Sequence, residues 1–482
     1  MVILMKKKEK ILQFGEGNFL RGFVDWMIQN INDMGIYEGS VVLCQPIPGG
    51  EKIKNILNSQ DKYHVAMRGL QDGKATEKID EVNIISRCIN AYDDYEELLK
   101  LARSEALEVV VSNTTEAGIT YKAGCKLSDT PAETYPAKVT AFLYERFKEF
   151  DGDPGKGLLF LPVELIDNNG YELKRIVLQY AREWELPKAA IDWIENANKF
   201  TSTLVDRIVT GYPKDEETLQ HFDELLGYPD EALVTCELFN LWVIEGKKEW
   251  TDILPIHKGT QNVIWTNNVK PYKARKVRIL NGGHTGTVLA AYLSGHNIVL
   301  DFMKDKVFTR YLDDLLEKEV IPTLDLPKEE LLEFAYSVKD RFANPYIKHS
   351  LLDISLNSCS KMNARCVPSL LEYVKREQKV PTHLAFALAA LILFYKGTMQ
   401  NGAYMGARQD GTSYQIKDDQ AAIQFFESAW NTPQQVVKKV LSHTEFWSGK
   451  DLTEIQGLTE LVEYYLQEME KKDVREVINN IR

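Results

Sequence analysis

The segment from Lys10 to Gly35 restricts the fold more than any other part of the 482-residue chain. KILQF (10–14) is a short apolar run that stops at a glycine-rich turn, and Phe23, Met27, Ile31 and Met34 then recur at helical spacing until Gly35. Strand, glycine turn and helix in that order form the setting in which a dinucleotide is bound. Gly15 permits the tight turn, Gly17 lets the backbone approach a pyrophosphate, and the helix N-terminus offers free N–H groups to the anion. Gly22, the third glycine, falls two positions later than the GxGxxG pattern places it. An ordinary strand-turn-helix connection has the same outline, so the turn alone does not decide for a cofactor.

The same alternation continues through the first half. SVVLC (40–44), VNIIS (82–86), LEVVVS (107–112) and GLLFLPVELI (157–166) read as strands, the last closed by the turn DNNG, and DDYEELLKLARSE (93–105) reads as a helix. This pattern predicts an α/β, Rossmann-like domain with a parallel sheet over residues 1–272. From about residue 270 strand signals become scarce. Apolar residues recur every three or four positions, as in VFTRYLDDLLEKEVI and EELLEFAYSV, which predicts a mostly α-helical domain over 273–482. Two cores suit a chain of this length. The apolar run Leu384 to Tyr395 is too short to cross a bilayer and reads as a buried helix.

A net charge of −12 argues against a general nucleic-acid binder, because phosphate contacts demand a basic surface. The cysteines Cys44, Cys88, Cys125, Cys236, Cys359 and Cys366 are scattered, with no CxxC pair and no suitably spaced histidine. Neither a disulfide framework nor a structural zinc site is expected, and reduced thiols in the cytoplasm fit better. At the N-terminus, MVILMKKKEKILQF sets its apolar residues before the lysines, the reverse of a secretory signal. No membrane association is expected.

Chemistry concentrates in KVRILNGGH, which carries Lys276, Asn281 and His284. On a continuous α-helix Asn281 would fall about 140° and His284 about 80° around the axis from Lys276, so all three would project from one side. A lysine made less basic by burial and a neighbouring cation can exchange a proton with a carbonyl or hydroxyl oxygen. An amide can donate to a developing oxyanion, and an imidazole can position a neighbouring hydroxyl. The glycines between them are read as room for a ring or substrate to approach the backbone. Against this stands a plainer reading, in which NGG is a turn and YKARKVR a solvated basic edge.

Taken together these segments resemble the polyol-specific long-chain dehydrogenase/reductase family, which includes mannitol dehydrogenases and hexuronate reductases. That family carries a lysine, an asparagine five residues later and a histidine three beyond, as Lys276, Asn281 and His284 do. GEGNFLRGF resembles its modified glycine turn, SNTTEAGI (112–119) its acid after a strand, LVDRIVTGYP (204–213) its Val-Asp-Arg-Ile stretch and RFANP (341–345) a block of its helical domain. The matches run in order from residue 11 to about residue 365. VELIDNNG and the region from Asn344 to Ser369 are closest in wording to the hexuronate-reductase branch.

The resemblance implies a metal-independent, NAD(H)-dependent oxidoreductase acting on a sugar-acid alcohol or its keto form. Lys276 is then the proton donor in reduction and the acceptor in oxidation; Asn281, with Asn169 of the DNNG turn, polarises the carbonyl; His284 binds a substrate hydroxyl. Glu116 would relay the proton to water or cap a helix, and Asp206 would lie near the site, pairing with Lys276 or orienting His284. Phe14, Gly15, Gly17, Asn18, Phe19 and Arg21 are expected around the cofactor, with Asn113 and Thr114 on its nicotinamide side. A carboxylate-bearing substrate needs a cation, and Lys361 and Arg365 are the candidates. Gln45 departs from the usual pattern: NAD enzymes carry an acid at the end of the second strand, and an amide there does not repel a 2′-phosphate. A non-catalytic nucleotide-binding protein on the same fold is the alternative of another class, and the intact Lys276, Asn281, His284 set speaks against it.

Overall fold

The structure, a computed structural model, describes residues 7–71, 73–115 and 117–481. It divides into two compact units, Met1–Arg68 with Thr76–Val269, and Gly69–Ala75 with Lys270–Arg482.

Up to residue 269 the strands are β1 (Glu9–Phe14), β2 (Ser40–Gln45), β3 (Tyr63–Gln71), β4 (Lys74–Val82), β5 (Ile85–Asn90), β6 (Val109–Ser112), β7 (Leu159–Pro162), β8 (Lys199–Phe200), β9 (Ser202–Asp206), β10 (Val209–Gly211), β11 (Val234–Glu237), β12 (Leu241–Glu245) and β13 (Val263–Thr266). The order β5-β2-β1-β6-β7-β8 makes one sheet, parallel throughout. A parallel sheet covered on both faces needs strands that are apolar on both sides, and β2 and β6 are buried at every residue.

Alternate side chains feed two cores. Ile11, Val41, Leu43, Val109 and Val111 join Phe23, Met27 and Ile31 of the first helix on one face. Leu12, Val42, Val110 and Phe160 meet Phe142, Leu143 and Val177 of the helices Tyr135–Glu149 and Asn169–Glu183 on the other. Each such side chain contributes about 1.5–3 kcal/mol by leaving water. Phe14, the last residue of β1, pairs with Cys44 on one side and Ser112 on the other. The strand order reverses there, and ligands of such sheets bind outside those carboxyl ends.

The expected strand at 82–86 is displaced: Val82 ends β4, β5 begins at Ile85, and the corner between them is pinned by buried Val82 and Ile84. Pairing of β7 stops at Pro162, so VELI lies outside the strand. DNNG opens a helix instead of closing a turn, with Asn168 left-handed at φ 54° just before Asn169–Glu183. A four-stranded sheet, β10-β11-β3-β4, and a three-stranded one, β13-β12-β9, complete this part of the chain.

The second unit is built around the helix Thr382–Phe394, whose residues are all buried except Thr382 and Leu393. Its first turn is closed by the Glu319 carboxylate, which accepts from the amides of His383 at 2.7 Å and Leu384 at 2.8 Å, a negative charge at the positive end of the helix dipole. The helices Gly282–Leu293 and Leu458–Lys471 pack on it. The helical expectation needs one amendment, an antiparallel sheet of β14 (Gly397–Gln400), β15 (Ala403–Ala407) and β16 (Ser413–Gln415). Asn401 and Gly402 join the first two strands at φ 49° and 81°, as a two-residue hairpin of type I′ requires. Among the described residues no helix is long and apolar enough to cross a membrane.

Candidate active site

At the carboxyl end of β1 the backbone is shaped for close approach. Gly15 sits at φ 124°, and a Cβ there would lie 2.9 Å from Leu20 Cδ1 and 3.2 Å from the Asn113 carbonyl oxygen. A Cβ on Gly17 would meet nothing within 4 Å, so that face of the turn is open. Gly22 serves packing instead: a Cβ would fall 2.8 Å from Val234 and 3.3 Å from Val209, so the late third glycine lets the first helix lie on β10 and β11. That helix runs through Asn18–Leu20, a wide π turn at Arg21–Asp25, and Trp26–Asp33.

The polar groups around this turn are largely spent on one another. Arg21 is buried and donates Nε to the Glu16 carbonyl at 3.0 Å, Nη2 to Asn18 Oδ1 at 2.7 Å and Nη1 to the Ala232 carbonyl, so it builds the turn. The Phe14 ring lies in the core, edge-on to Tyr135, leaving only its backbone at the crevice. Phe19 stacks on Phe23 at 5.1 Å. Gln45 is buried, with Nε2 donating to the Gly49 carbonyl and, at 3.4 Å, to Glu16 Oε1; its Oε1 is buried without a partner. The Gln45 amide N–H is thus already engaged within the loop.

The Asn113 amide donates to the Phe14 carbonyl at 3.1 Å. Thr114 gives both its amide and its hydroxyl to Glu164 Oε1, each at 2.9 Å, and Ser112 Oγ donates to Glu164 Oε2 at 3.2 Å. Glu164, whose pKa is raised by burial, thus fixes the strand end beside the crevice. Sequence reasoning misses this residue, for which the only signal is an acid inside the apolar VELI. Asn169 is fully buried and saturated: Nδ2 reaches the carbonyls of Pro162, Glu164 and Thr203 at 3.0, 3.0 and 3.3 Å, and Oδ1 accepts from Gly170 and Thr203 at 2.9 Å each. With no donor left for a substrate carbonyl, its expected polarising role is corrected to a structural one.

Asp206 ends β9 and is buried, and so is Arg207, which donates Nη1 to the Gly22 carbonyl at 2.7 Å and Nε to the Glu237 carbonyl at 3.1 Å. Glu116 lies outside the described residues. Deeper in the first helix, Asp25 is fully buried beside Gln13 Nε2 at 3.3 Å and Tyr63 OH at 3.4 Å, and burial pushes its pKa up to about 7.

In the second unit, Lys276–Asn281 is a π-helical turn between the helices Lys270–Arg275 and Gly282–Leu293. The Gly282 amide reaches back five residues to the Val277 carbonyl. A π turn holds more residues than an α turn, so Lys276 and Asn281 stand closer together around the axis than the roughly 140° an α-helix would give them. His284 follows three positions later on the α-helical part and shares that side. Lys276, Asn281 and His284 are all half-buried.

The imidazole of His284 lies flat on Phe342, centroids 3.8 Å apart at 6°, with His349 edge-on at 5.4 Å. Its Nε2 is shut off from solvent and has no partner among the described residues. Burial first, then the charges of His349, Arg341, Arg365 and Lys361, hold its pKa well below the usual histidine range. The ring is therefore neutral at physiological pH and keeps an acceptor nitrogen. RFANP supplies both the stacking ring and the Arg341 charge.

Lys361 and Arg365 lie one turn apart on the helix Ser358–Arg365. Arg365 Nη1 donates to Thr285 Oγ1 at 3.2 Å, beside His284, and Lys361 Nζ donates to the Ile354 carbonyl at 2.8 Å. Burial lowers the pKa of both, and for Lys361 the Arg365 charge adds to it. Among the described residues neither is ion-paired. Gly282 and Gly283 do not face an open site, contrary to expectation. A Cβ on Gly282 would lie 3.2 Å from the Arg365 carbonyl oxygen, and one on Gly283 would touch Leu312 at 3.4 Å, so both glycines admit neighbouring helices.

Comparison with known proteins matches residues 9–258 to the mannitol dehydrogenase Rossmann domain and 268–470 to the mannitol dehydrogenase C-terminal domain. The chain belongs to the mannitol dehydrogenase family. Altronate oxidoreductases of Shigella flexneri and Escherichia coli are each 43% identical over 479 residues, covering 98% of this chain and 96% of theirs. Among solved structures, substrate-free D-sorbitol dehydrogenase is similar at a TM-score of 0.79 and 21% identity, over 98% of this chain and 95% of that one. A ternary complex of Pseudomonas fluorescens mannitol 2-dehydrogenase with NAD and D-mannitol is similar at 0.63 and 21%, over 98% and 94%. This mannitol dehydrogenase family member is thus a dehydrogenase acting on CH–OH groups, and its Rossmann domain implies a nicotinamide cofactor.

The first unit fits that cofactor. The open face at Gly17, the buried acceptor of Gln45 and a pocket of about 470 Å³ lined by Gly17, Asn18, Arg21, Gly50, Lys52 and Ile53 suit a pyrophosphate and the ribose beside it.

Proposed function

We propose that this enzyme interconverts D-tagaturonate and D-altronate with NAD(H). The observation that carries the reading is the pair of half-buried, unpaired cations Lys361 and Arg365 beside His284. Desolvated cations with no acid partner favour an anion, and a hexuronate-derived substrate brings a carboxylate that a guanidinium can hold through two parallel hydrogen bonds. A neutral polyol would leave those charges uncompensated. The altronate oxidoreductase relatives, at 43% identity, support the same substrate class.

The nicotinamide cofactor supplies the hydride in reduction and takes it in oxidation. Lys276 gives a proton to the oxygen as the ketone becomes an alcohol, and takes it back in the reverse direction. Asn281, one turn along from Lys276, donates to the same oxygen as negative charge develops. His284, neutral and flat against Phe342, accepts from or donates to a neighbouring substrate hydroxyl. Around the cofactor, Gly15, Gly17 and Asn18 meet the pyrophosphate, and Asn113 and Thr114, the latter tied to Glu164, edge the nicotinamide side. Asp206 is read as a positioning residue near the site.

Oxidation of NADH and NADPH with tagaturonate, fructuronate and fructose, side by side, tests the proposal. Turnover fastest with tagaturonate and NADH is expected; a preference for fructuronate or fructose assigns the same residues to a sister reaction. The proton chemistry assigned to Lys276 needs no metal ion, so activity after exhaustive chelation should match that before it.

A further inference from the structure

We infer that Glu16, on the glycine turn, rejects the 2′-phosphate of NADP(H) in place of an acid at the end of β2. The inference rests on the NAD(H) reading above and names the residue behind it. In sheets of this kind the adenosine ribose lies over the carboxyl end of the second strand, where an acid bonds its hydroxyls and repels a 2′-phosphate. Here β2 ends at Gln45, which is uncharged and buried.

A carboxylate nonetheless stands at that strand end, brought from the loop after β1. Gln45 Nε2 lies 3.4 Å from Glu16 Oε1, and Arg21 Nε holds the Glu16 carbonyl at 3.0 Å, so both ends of the residue are tethered. The loop after β2 is shaped around it: Gly50 has φ 79°, and a Cβ there would fall 1.9 Å from Gln45 Nε2 and 3.1 Å from Glu16 Oε1. The Glu16 charge also bears on the thiols of Cys44 in β2 and Cys88 in β5, whose pKa values are raised mainly by burial, which sets it over the ends of those two strands. Glu16 remains partly exposed, next to the pocket that Gly17, Asn18 and Gly50 line.

Two cations line the same pocket. Arg21 is committed to the Glu16 carbonyl, Asn18 Oδ1 and the Ala232 carbonyl, and Lys52 is exposed. A 2′-phosphate seated over β2 would therefore meet the fixed carboxylate of Glu16 first, whereas two ribose hydroxyls could donate to it.

The test is the dissociation constant of NADH and of NADPH, read from nicotinamide fluorescence without substrate, for the wild-type enzyme, Glu16→Gln and Glu16→Asp. The wild type should favour NADH. Glu16→Gln should tighten NADPH by about tenfold to a hundredfold, the scale of one like-charge contact removed at a protein surface, and weaken NADH slightly. Glu16→Asp, which keeps the charge, should keep most of the preference. Should Glu16→Gln leave the NADPH to NADH ratio unchanged while the wild type favours NADH, the role assigned to Glu16 is overturned and the NAD(H) reading stands. A wild type that favours NADPH overturns the NAD(H) reading itself. If Glu16→Gln fails to fold, loss of the preference in Glu16→Asp overturns the inference, because the charge alone would not account for it.

Discussion

The two ends of the chemistry are built on opposite plans. Around the glycine turn of the first unit most polar side chains satisfy one another: Arg21 binds two acceptors of its own loop and the Ala232 carbonyl, Asn169 is saturated by backbone, and Thr114 is tied to Glu164. On the Lys276–His284 segment and the helix facing it, groups are left wanting among the described residues: His284 Nε2 has no partner, and Lys361 and Arg365 lack an acid. A cofactor shared by many enzymes can be held by backbone and shape, so side chains there are free to stiffen the frame. A particular substrate must be recognised by side chains, and those have to be kept unsatisfied until it arrives.

Four changes test that contrast. Lys276→Ala should lower kcat by about three orders of magnitude or more while NADH binding stays near normal, since general acid–base groups are worth roughly 10²–10⁴. Near-normal turnover in that variant would falsify the proton assignment. Arg365→Ala should raise KM for the sugar acid by about tenfold to a hundredfold, in keeping with one charge-assisted hydrogen bond, and leave any residual turnover of a neutral ketose unchanged. Equal losses on both substrates would mean that Arg365 supports the fold and not the carboxylate.

Asp25 is a charged exception around the glycine turn, a buried carboxyl whose Oδ1 has no partner among the described residues and whose pKa is raised by burial to about 7. Because the folded state holds the proton more tightly than the unfolded chain, stability falls as pH rises from about 4 to about 7. Asp25→Asn should flatten that slope, raising the melting temperature at pH 8 by the equivalent of roughly 2–4 kcal/mol and leaving it unchanged near pH 4. A parallel slope in the variant would assign the effect elsewhere. The smallest effect is expected at His284. A neutral imidazole and a glutamine amide both offer one donor and one acceptor, so His284→Gln should cost less than about tenfold in kcat/KM and leave the pH–rate profile unmoved. A lost acid limb would show that the histidine titrates after all.

Much of this frame can be read in one dimension. The strand, turn and helix at Lys10 to Gly35, the central strands β2 and β6, and the buried helix Thr382–Phe394 all follow from apolar runs whose length and period admit one interpretation. The pair β3 and β4 escapes such a reading because KATEKIDEV offers almost no apolar residue for a period to show in, and β14–β15 because its one signal is the short turn in QNGAY. Of the site, the spacing from Lys276 to His284 is legible, but its geometry is not. Counting at the α-helical period sets Lys276 and Asn281 about 140° apart, and the π turn draws them closer together. Phe342, which fixes the His284 ring, comes from a different helix far along the chain, a distance no local pattern spans. Asn169 resembles a ligand in sequence because a loop asparagine is usually free; the start of a helix buried against Thr203 makes it part of the frame.

The wide turn at Lys276–Asn281 also changes what kind of damage this enzyme would tolerate. The direction of the Lys276 side chain depends on how many residues wind through that stretch of backbone. Loss of a single residue from that stretch would restore an ordinary helical turn and change the spacing between the Lys276 and Asn281 side chains, though both would still be present.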